Sequence, residues 1–192
     1  DFCGFPKELY DKKYPLKNDI NRVKEVINHL KKYGLHVEKS MTREGYDHGV
    51  WAPLSLMYEN ADIPVIQLSL PMDKNTNELL KIGEALSSLR EEALIIGSGN
   101  MTHNLYDSAM HVVAAPVKEY ARVFRDEIVR KIEKGDVDLL SETLYVKENH
   151  PTLEHFLPIF IAMGASKSKI GKAIFDVYMY ANQSMEMIVF KD

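Results

Sequence analysis

Apolar and polar positions along the chain fall into helical and strand-like periods. Ile20, Val23, Val26, Ile27 and Leu30 recur at helical spacing; Asn18 or Asp19 can cap the run and Gly34 stops it. Leu35 to Met41 alternates apolar and polar residues, which predicts a strand with one solvated face. Ile63 to Leu70 is a nearly continuous apolar run closed by Pro71, which predicts a strand buried on both faces. A helix starts at Asn75 or Thr76, with Leu79, Leu80, Ile82, Leu86 and Leu89 inward. Ala93-Leu94-Ile95-Ile96 is too short and too β-branched for a globular helix, so it predicts a buried strand. Later, Val117 to Lys134 is amphipathic and highly charged, with Gly135 closing it. Asp136 to Tyr145 predicts a short helix, and Met185 to Phe190 a last strand, antiparallel at the sheet edge. Strands alternating with helices predict an α/β fold: one layered domain over residues 1–192, with a mixed, partly parallel central sheet flanked by helices.

Three stretches interrupt this pattern with polar chemistry. After the strand at 93–96 comes Gly97-Ser98-Gly99-Asn100-Met101-Thr102-His103-Asn104-Leu105. Its glycines open backbone conformations closed to other residues and let a ligand approach closely, and open α/β sheets bind ligands at the carboxyl ends of their strands. On local grounds His103 is either a site residue or an idle polar residue in a structural turn. In Asp47-His48-Gly49-Val50-Trp51-Ala52-Pro53, Pro53 fits the first turn of a helix over Leu54 to Tyr58. There Asp47 can orient or charge the His48 ring, or the pair can be an ordinary Asx turn. His150-Pro151-Thr152-Leu153-Glu154-His155-Phe156 predicts an extended His150, a helix opened by Pro151, and His155 within its first turns. The other histidines read as surface residues at 29 and 36 and a packed one at 111.

Composition narrows the partners. Of 192 residues, 45% are hydrophobic and 27% charged, ordinary for a globular protein, and the net charge of −4 argues against non-specific nucleic-acid binding. No apolar run approaches the roughly 20 residues of a membrane span. The one cysteine, Cys3, excludes an internal disulfide and suits a reducing compartment, so a cytoplasmic location is expected. Asp1-Phe2-Cys3-Gly4-Phe5-Pro6 reads as a fixed loop in the middle of something longer.

Together, Asp1 to Tyr10, Asp47 to Trp51 with Pro53-Leu54, Gly97 to Leu105 and His150 to Phe156 resemble the 4,5-DOPA dioxygenase group of class III extradiol ring-cleaving dioxygenases. Four motifs in order are specific where any one alone is weak. The resemblance implies an enzyme that opens catecholic rings with O₂ at a mononuclear non-haem metal, Fe(II) or Zn(II), one per chain in the full-length protein. It implies that His103 is the acid/base, that His48 positions substrate or steers oxygen, and that His155 is a metal ligand. Asp47, Asn104 and His150 fall on the substrate side, with the role of His150 left between metal and substrate. The family's first two metal ligands lie on N-terminal motifs that this sequence does not contain, so it is expected to lack the first strands of the fold and to be inactive by itself. The implied partners are a small-molecule catechol and O₂, with no nucleic acid or membrane; the oligomeric state is open. A non-catalytic binding module of the same fold and a zinc-dependent hydrolase are the alternatives.

Overall fold

A computed structural model describes residues 7–42 and 45–192. The loop read from Asp1 to Pro6, including Cys3, lies outside the described residues. The chain divides into two compact units, 1–69 and 70–192.

In the first unit, α1 covers Lys7–Asp11, α2 covers Ile20–Lys32 and α3 covers His48–Met57. Asp19 caps α2 as its position predicts, its carboxylate accepting the Asn21 and Arg22 N–H groups at 2.9 and 3.3 Å. Gly34 ends the helix at φ 77°. The helix expected from Leu54 starts six residues earlier, so Pro53 lies inside α3 rather than in its first turn. An interior proline lacks an N–H and crowds the carbonyl four residues back, which here belongs to Gly49, the residue type best able to give way. The Tyr14 hydroxyl lies 2.9 Å from the Leu54 carbonyl oxygen, which also accepts the Tyr58 N–H at 2.8 Å, and 2.5 Å from the Tyr58 carbonyl oxygen at the helix end.

The second unit is mainly helical: α4 (Thr76–Leu86), a 3-10 turn (Ser87–Glu91), a second (Leu105–Asp107), α5 (Glu119–Glu133), α6 (Val146–Asn149) and α7 (Pro158–Ala165). Asn75 and Glu78 close a capping box at the start of α4. The helix expected over 136–145 is a series of turns instead. Glu142 and Tyr145 take left-handed φ of 55° and 62°, which a continuous helix forbids, and the Lys131 ammonium draws off the Asp138 and Ser141 carbonyls. Likewise the helix expected from Pro151 starts at Pro158, which takes the first-turn position, and His155 lies in the turn before it.

The sheets are small. β1 (Gly171–Phe175) pairs antiparallel with β4 (Met187–Phe190), with a bulge between Ala173 and Phe175, and β2 (Tyr178–Met179) pairs antiparallel with β3 (Gln183–Ser184). The last strand is therefore antiparallel at an edge, as its sequence predicts. The strands expected at 35–41, 63–70 and 93–96 form no ladder among the described residues; one parallel bridge joins Lys17 to Pro64. A hydrophobic run supplies burial but not a hydrogen-bonding partner, and among the described residues the ladder contact of these stretches is limited to that bridge, with the Val65 N–H donating to the Lys17 carbonyl at 3.1 Å. Nor is their burial complete, for Leu94 is 65% exposed and Ile96 46%.

The core of the second unit places Phe124, Phe156 and Phe160 in successive edge contacts with centroids 5.6 and 5.9 Å apart, surrounded by Leu79, Ile128, Ile132, Leu139 and Met163. Because α7 is apolar all round, it has no solvent face to spare and meets α4 backbone to backbone. A Cβ on Gly83 would lie 2.2 Å from the Ile161 carbonyl oxygen, and one on Gly164 2.2 Å from that of Leu80. No helix among the described residues is long and apolar enough to cross a membrane.

Candidate active site

The glycine turn is shaped by backbone. A Cβ on Gly97 would come within 2.6 Å of the Pro158 carbonyl oxygen, and one on Gly99 within 2.1 Å of the His155 carbonyl oxygen. That oxygen accepts the Asn100 N–H at 2.7 Å, and farther along the His103 N–H donates to the Asn149 carbonyl at 3.0 Å. The segments 97–103 and 149–158 are thus fastened side by side, and only glycine lets them approach so closely. The sequence signal of close approach holds, but what approaches is the chain itself.

This fastening stacks the rings of His103 and His155, with centroids 3.7 Å apart and planes 14° from parallel. Burial, and then the neighbouring His155 ring, hold the His103 imidazole below its ordinary range. His103 is therefore neutral at pH 7, the form that accepts a proton. Glu154 lies beside the pair, its Oε1 3.3 Å from His155 Nδ1. Burial opposes ionisation of Glu154, but hydrogen bonds from the Thr152 hydroxyl and its own backbone, with His155 nearby, hold its carboxyl below the usual range. The site thus pairs a neutral base with a fixed negative charge two rings away. Glu154 carries no motif of its own in the sequence; its place beside His155 is the one signal that points to it.

His150 is 3% exposed, enclosed by Phe124 and Phe156 with ring centroids at 5.5 and 5.1 Å. Its Nε2 lies 2.9 Å from the Met101 carbonyl oxygen. A carbonyl can only accept, so Nε2 carries the proton and Nδ1 is bare, and Nδ1 has no partner. Burial dominates the titration of His150, pushing its pKa down to about 4 against the opposing Met101 hydrogen bond. Asn104 is engaged at both ends of its amide: Nδ2 donates to the Glu148 carbonyl at 2.7 Å, and Oδ1 accepts the Tyr106 N–H at 3.1 Å. The structure therefore brings His103, His155, His150 and Asn104 into one neighbourhood of the second unit.

Asp47 and His48 belong to the first unit, at the start of α3. Asp47 occupies the cap position without a side-chain capping bond; its carboxylate instead accepts the Gln67 amide at 2.6 Å. Gln67, in the run read only as a strand, braces this motif, and no periodicity in the sequence points to it.

The donor set fits a metal only in part. An imidazole ligates in its ring plane, and rings stacked as His103 and His155 are hold their lone pairs in nearly parallel planes, so the two cannot converge on one ion. His155 Nδ1 is buried and faces Glu154 Oε1 at 3.3 Å without meeting hydrogen-bond geometry, which makes it the ligand candidate of the pair. Among the described residues no group of three or more His, Cys, Asp or Glu side chains is placed to hold a metal.

Residues 1–189 match the family model described as the catalytic LigB subunit of aromatic ring-opening dioxygenase. The chain is 34% identical over 171 residues to a 4,5-DOPA dioxygenase extradiol of Beta vulgaris, covering 86% of this chain and 63% of that protein. It is 32% identical over 190 residues to a 4,5-DOPA dioxygenase extradiol-like protein of Schizosaccharomyces pombe, covering 93% of this chain and 62% of that one. The chain thus spans under two thirds of the length of these relatives. The crystal structure of an uncharacterized protein from Escherichia coli K12 superposes with a TM-score of 0.76 at 27% identity, over 94% of this chain and 76% of that one.

Proposed function

The chain belongs to the LigB family of aromatic ring-opening dioxygenases, and from that premise we propose that its protein opens DOPA-like catechols with O₂, cleaving beside the two hydroxyls. The observation that carries the proposal is the stacked pair: a neutral, half-buried His103 held against His155, in a turn fixed by backbone hydrogen bonds.

In this reading His103 is the acid/base. Its free imidazole takes a proton from a catechol hydroxyl. Burial and the adjacent ring then disfavour the imidazolium, so the same group gives the proton back readily during oxygen–oxygen bond cleavage. His48, braced through the Asp47 and Gln67 contact, is proposed to act on the substrate side. His150 through Nε2 and Asn104 through Nδ2 donate to the Met101 and Glu148 carbonyls and are proposed to support the turn from behind.

The family implies a non-haem metal, which we propose is iron(II) or zinc. His155 is the ligand this chain offers, and one imidazole does not make a metal site, so the described residues do not fit the whole group. The proton chemistry above belongs to His103 alone. A cytoplasmic location is part of the proposal, on the single cysteine.

The test is the complete gene product, loaded anaerobically with iron(II), mixed with DOPA and then with O₂. Appearance of the ring-opened semialdehyde absorbance supports the proposal. O₂ uptake without ring opening, or no reaction with DOPA, caffeate and protocatechuate alike, overturns it.

A further inference from the structure

We infer that the loop Tyr180-Ala181-Asn182, together with the Thr102 hydroxyl, is a positioning device that sets the placement of His103; the inference rests on the acid/base reading of His103. The loop joins β2 to β3 and is held in unusual backbone, with φ of 56° at Tyr180 and 71° at Ala181. Residues with a side chain rarely adopt this left-handed region, and such backbone persists where its surroundings over-determine it.

Here they do. The Tyr180 N–H donates to the Val113 carbonyl at 2.9 Å, and the Tyr180 carbonyl accepts the Ala109 N–H at 2.9 Å and the Ser108 hydroxyl at 3.3 Å. The Ala181 carbonyl accepts the Lys118 N–H at 2.8 Å. With its backbone pinned, the loop offers two groups of Asn182, and the adjoining β3 the Ser184 N–H, to the residues flanking His103. The Thr102 hydroxyl donates to the Asn182 carbonyl at 2.8 Å and accepts the Ser184 N–H at 2.7 Å. The Asn182 amide donates to the Asn104 carbonyl at 2.8 Å and lies 2.9 Å from the Tyr120 hydroxyl oxygen.

Both neighbours of His103 are therefore tied to one strained loop, while its own N–H is tied to Asn149. Thr102 is fully buried and Asn182 is 1% exposed, so water cannot take over a bond that is lost. The geometry of the stacked pair follows from these ties. Without them the His103 end would keep its own N–H bond to Asn149 and the Asn104 amide bond to Glu148, but Thr102 and the Asn104 carbonyl would lose their anchors.

Thr102→Val keeps the shape and deletes the hydroxyl, stranding the Asn182 carbonyl and the Ser184 N–H; Thr102→Ser restores the bonds. In the complete, metal-loaded gene product, Thr102→Val is expected to lower kcat for catechol ring opening about a hundredfold, the effect of displacing a catalytic group by about 1 Å. KM should change little, and Thr102→Ser should recover most of the rate. With nitrogen-labelled histidines, Thr102→Val should move the ring resonances of His103 and His155, and Thr102→Ser should return them. If Thr102→Val does not fold, Asn182→Ser, which withdraws the donor from the Asn104 carbonyl, is read in the same two ways. Wild-type kcat with unmoved resonances overturns the inference, as does a serine variant as impaired as the valine. Should the wild type open no catechol ring, the functional reading falls, and the resonances alone then decide the positioning.

Discussion

Replacing His150 with glutamine should flatten the dependence of stability on pH. The ring is 3% exposed and its pKa is lowered from 6.5 to about 4, with burial as the main cause. For a base, a lowered pKa in the fold means that the unfolded chain binds more protons between the two values. Stability from this group is therefore complete above about pH 6.5, lost as pH falls through the window, and gone below about pH 4. At 1.36 kcal/mol per pKa unit the whole shift is worth about 3 kcal/mol, of which about 2 kcal/mol falls between pH 7 and pH 4.5. Glutamine does not titrate, and its amide can still donate to the Met101 carbonyl, so other titrations cancel in the comparison. Urea unfolding followed by circular dichroism at both pH values measures it. The wild type should lose about 2 kcal/mol more than the variant on acidification. Equal losses would mean that the His150 ring titrates in the fold as it does in water, and the assignment of a buried neutral tautomer would be wrong.

Two further outcomes follow from packing and charge. Gly164→Ala forces a Cβ against the Leu80 carbonyl and should destabilise by about 1–3 kcal/mol, read as a lower urea midpoint; an unchanged midpoint would show that α4 and α7 can part freely. Arg125 donates through Nε to Glu186 at 2.5 Å, and the Glu186 side chain is fully buried, so Arg125→Met strands a buried carboxylate and should cost about 3–5 kcal/mol. The double change Arg125→Met with Glu186→Leu should recover most of that loss in the same urea assay, and failure to recover would place the cost in packing rather than charge.

What was legible in the sequence was local. Asp19 and the Asn75 and Glu78 pair mark helix starts because a cap is built from residues two or three apart. The motif order around His48, His103 and His155 carried the family for a similar reason, each motif being a short contiguous stretch. Pairing is not local. The runs at 63–70 and 93–96 have strand composition, but composition does not provide a partner, and β1, which does pair with the last strand, has no strong pattern of its own. His150 enters the candidate site through the resemblance alone; its burial depends on Phe124, 26 positions earlier, and the Met101 carbonyl, 49 positions away, which no local pattern shows. The glycines at 97 and 99 predict a close approach by a ligand, but in the fold backbone of residues 155 and 158 takes that space.

The central claim is that His103 moves protons and does not hold the metal, because its ring is stacked on His155 instead of converging with it. The most direct measurement is His103→Ala in the complete gene product, with metal content and single-turnover ring opening measured on the same sample. The account predicts bound metal close to wild type and ring opening lost. Loss of the metal along with the activity would contradict it and make His103 a ligand.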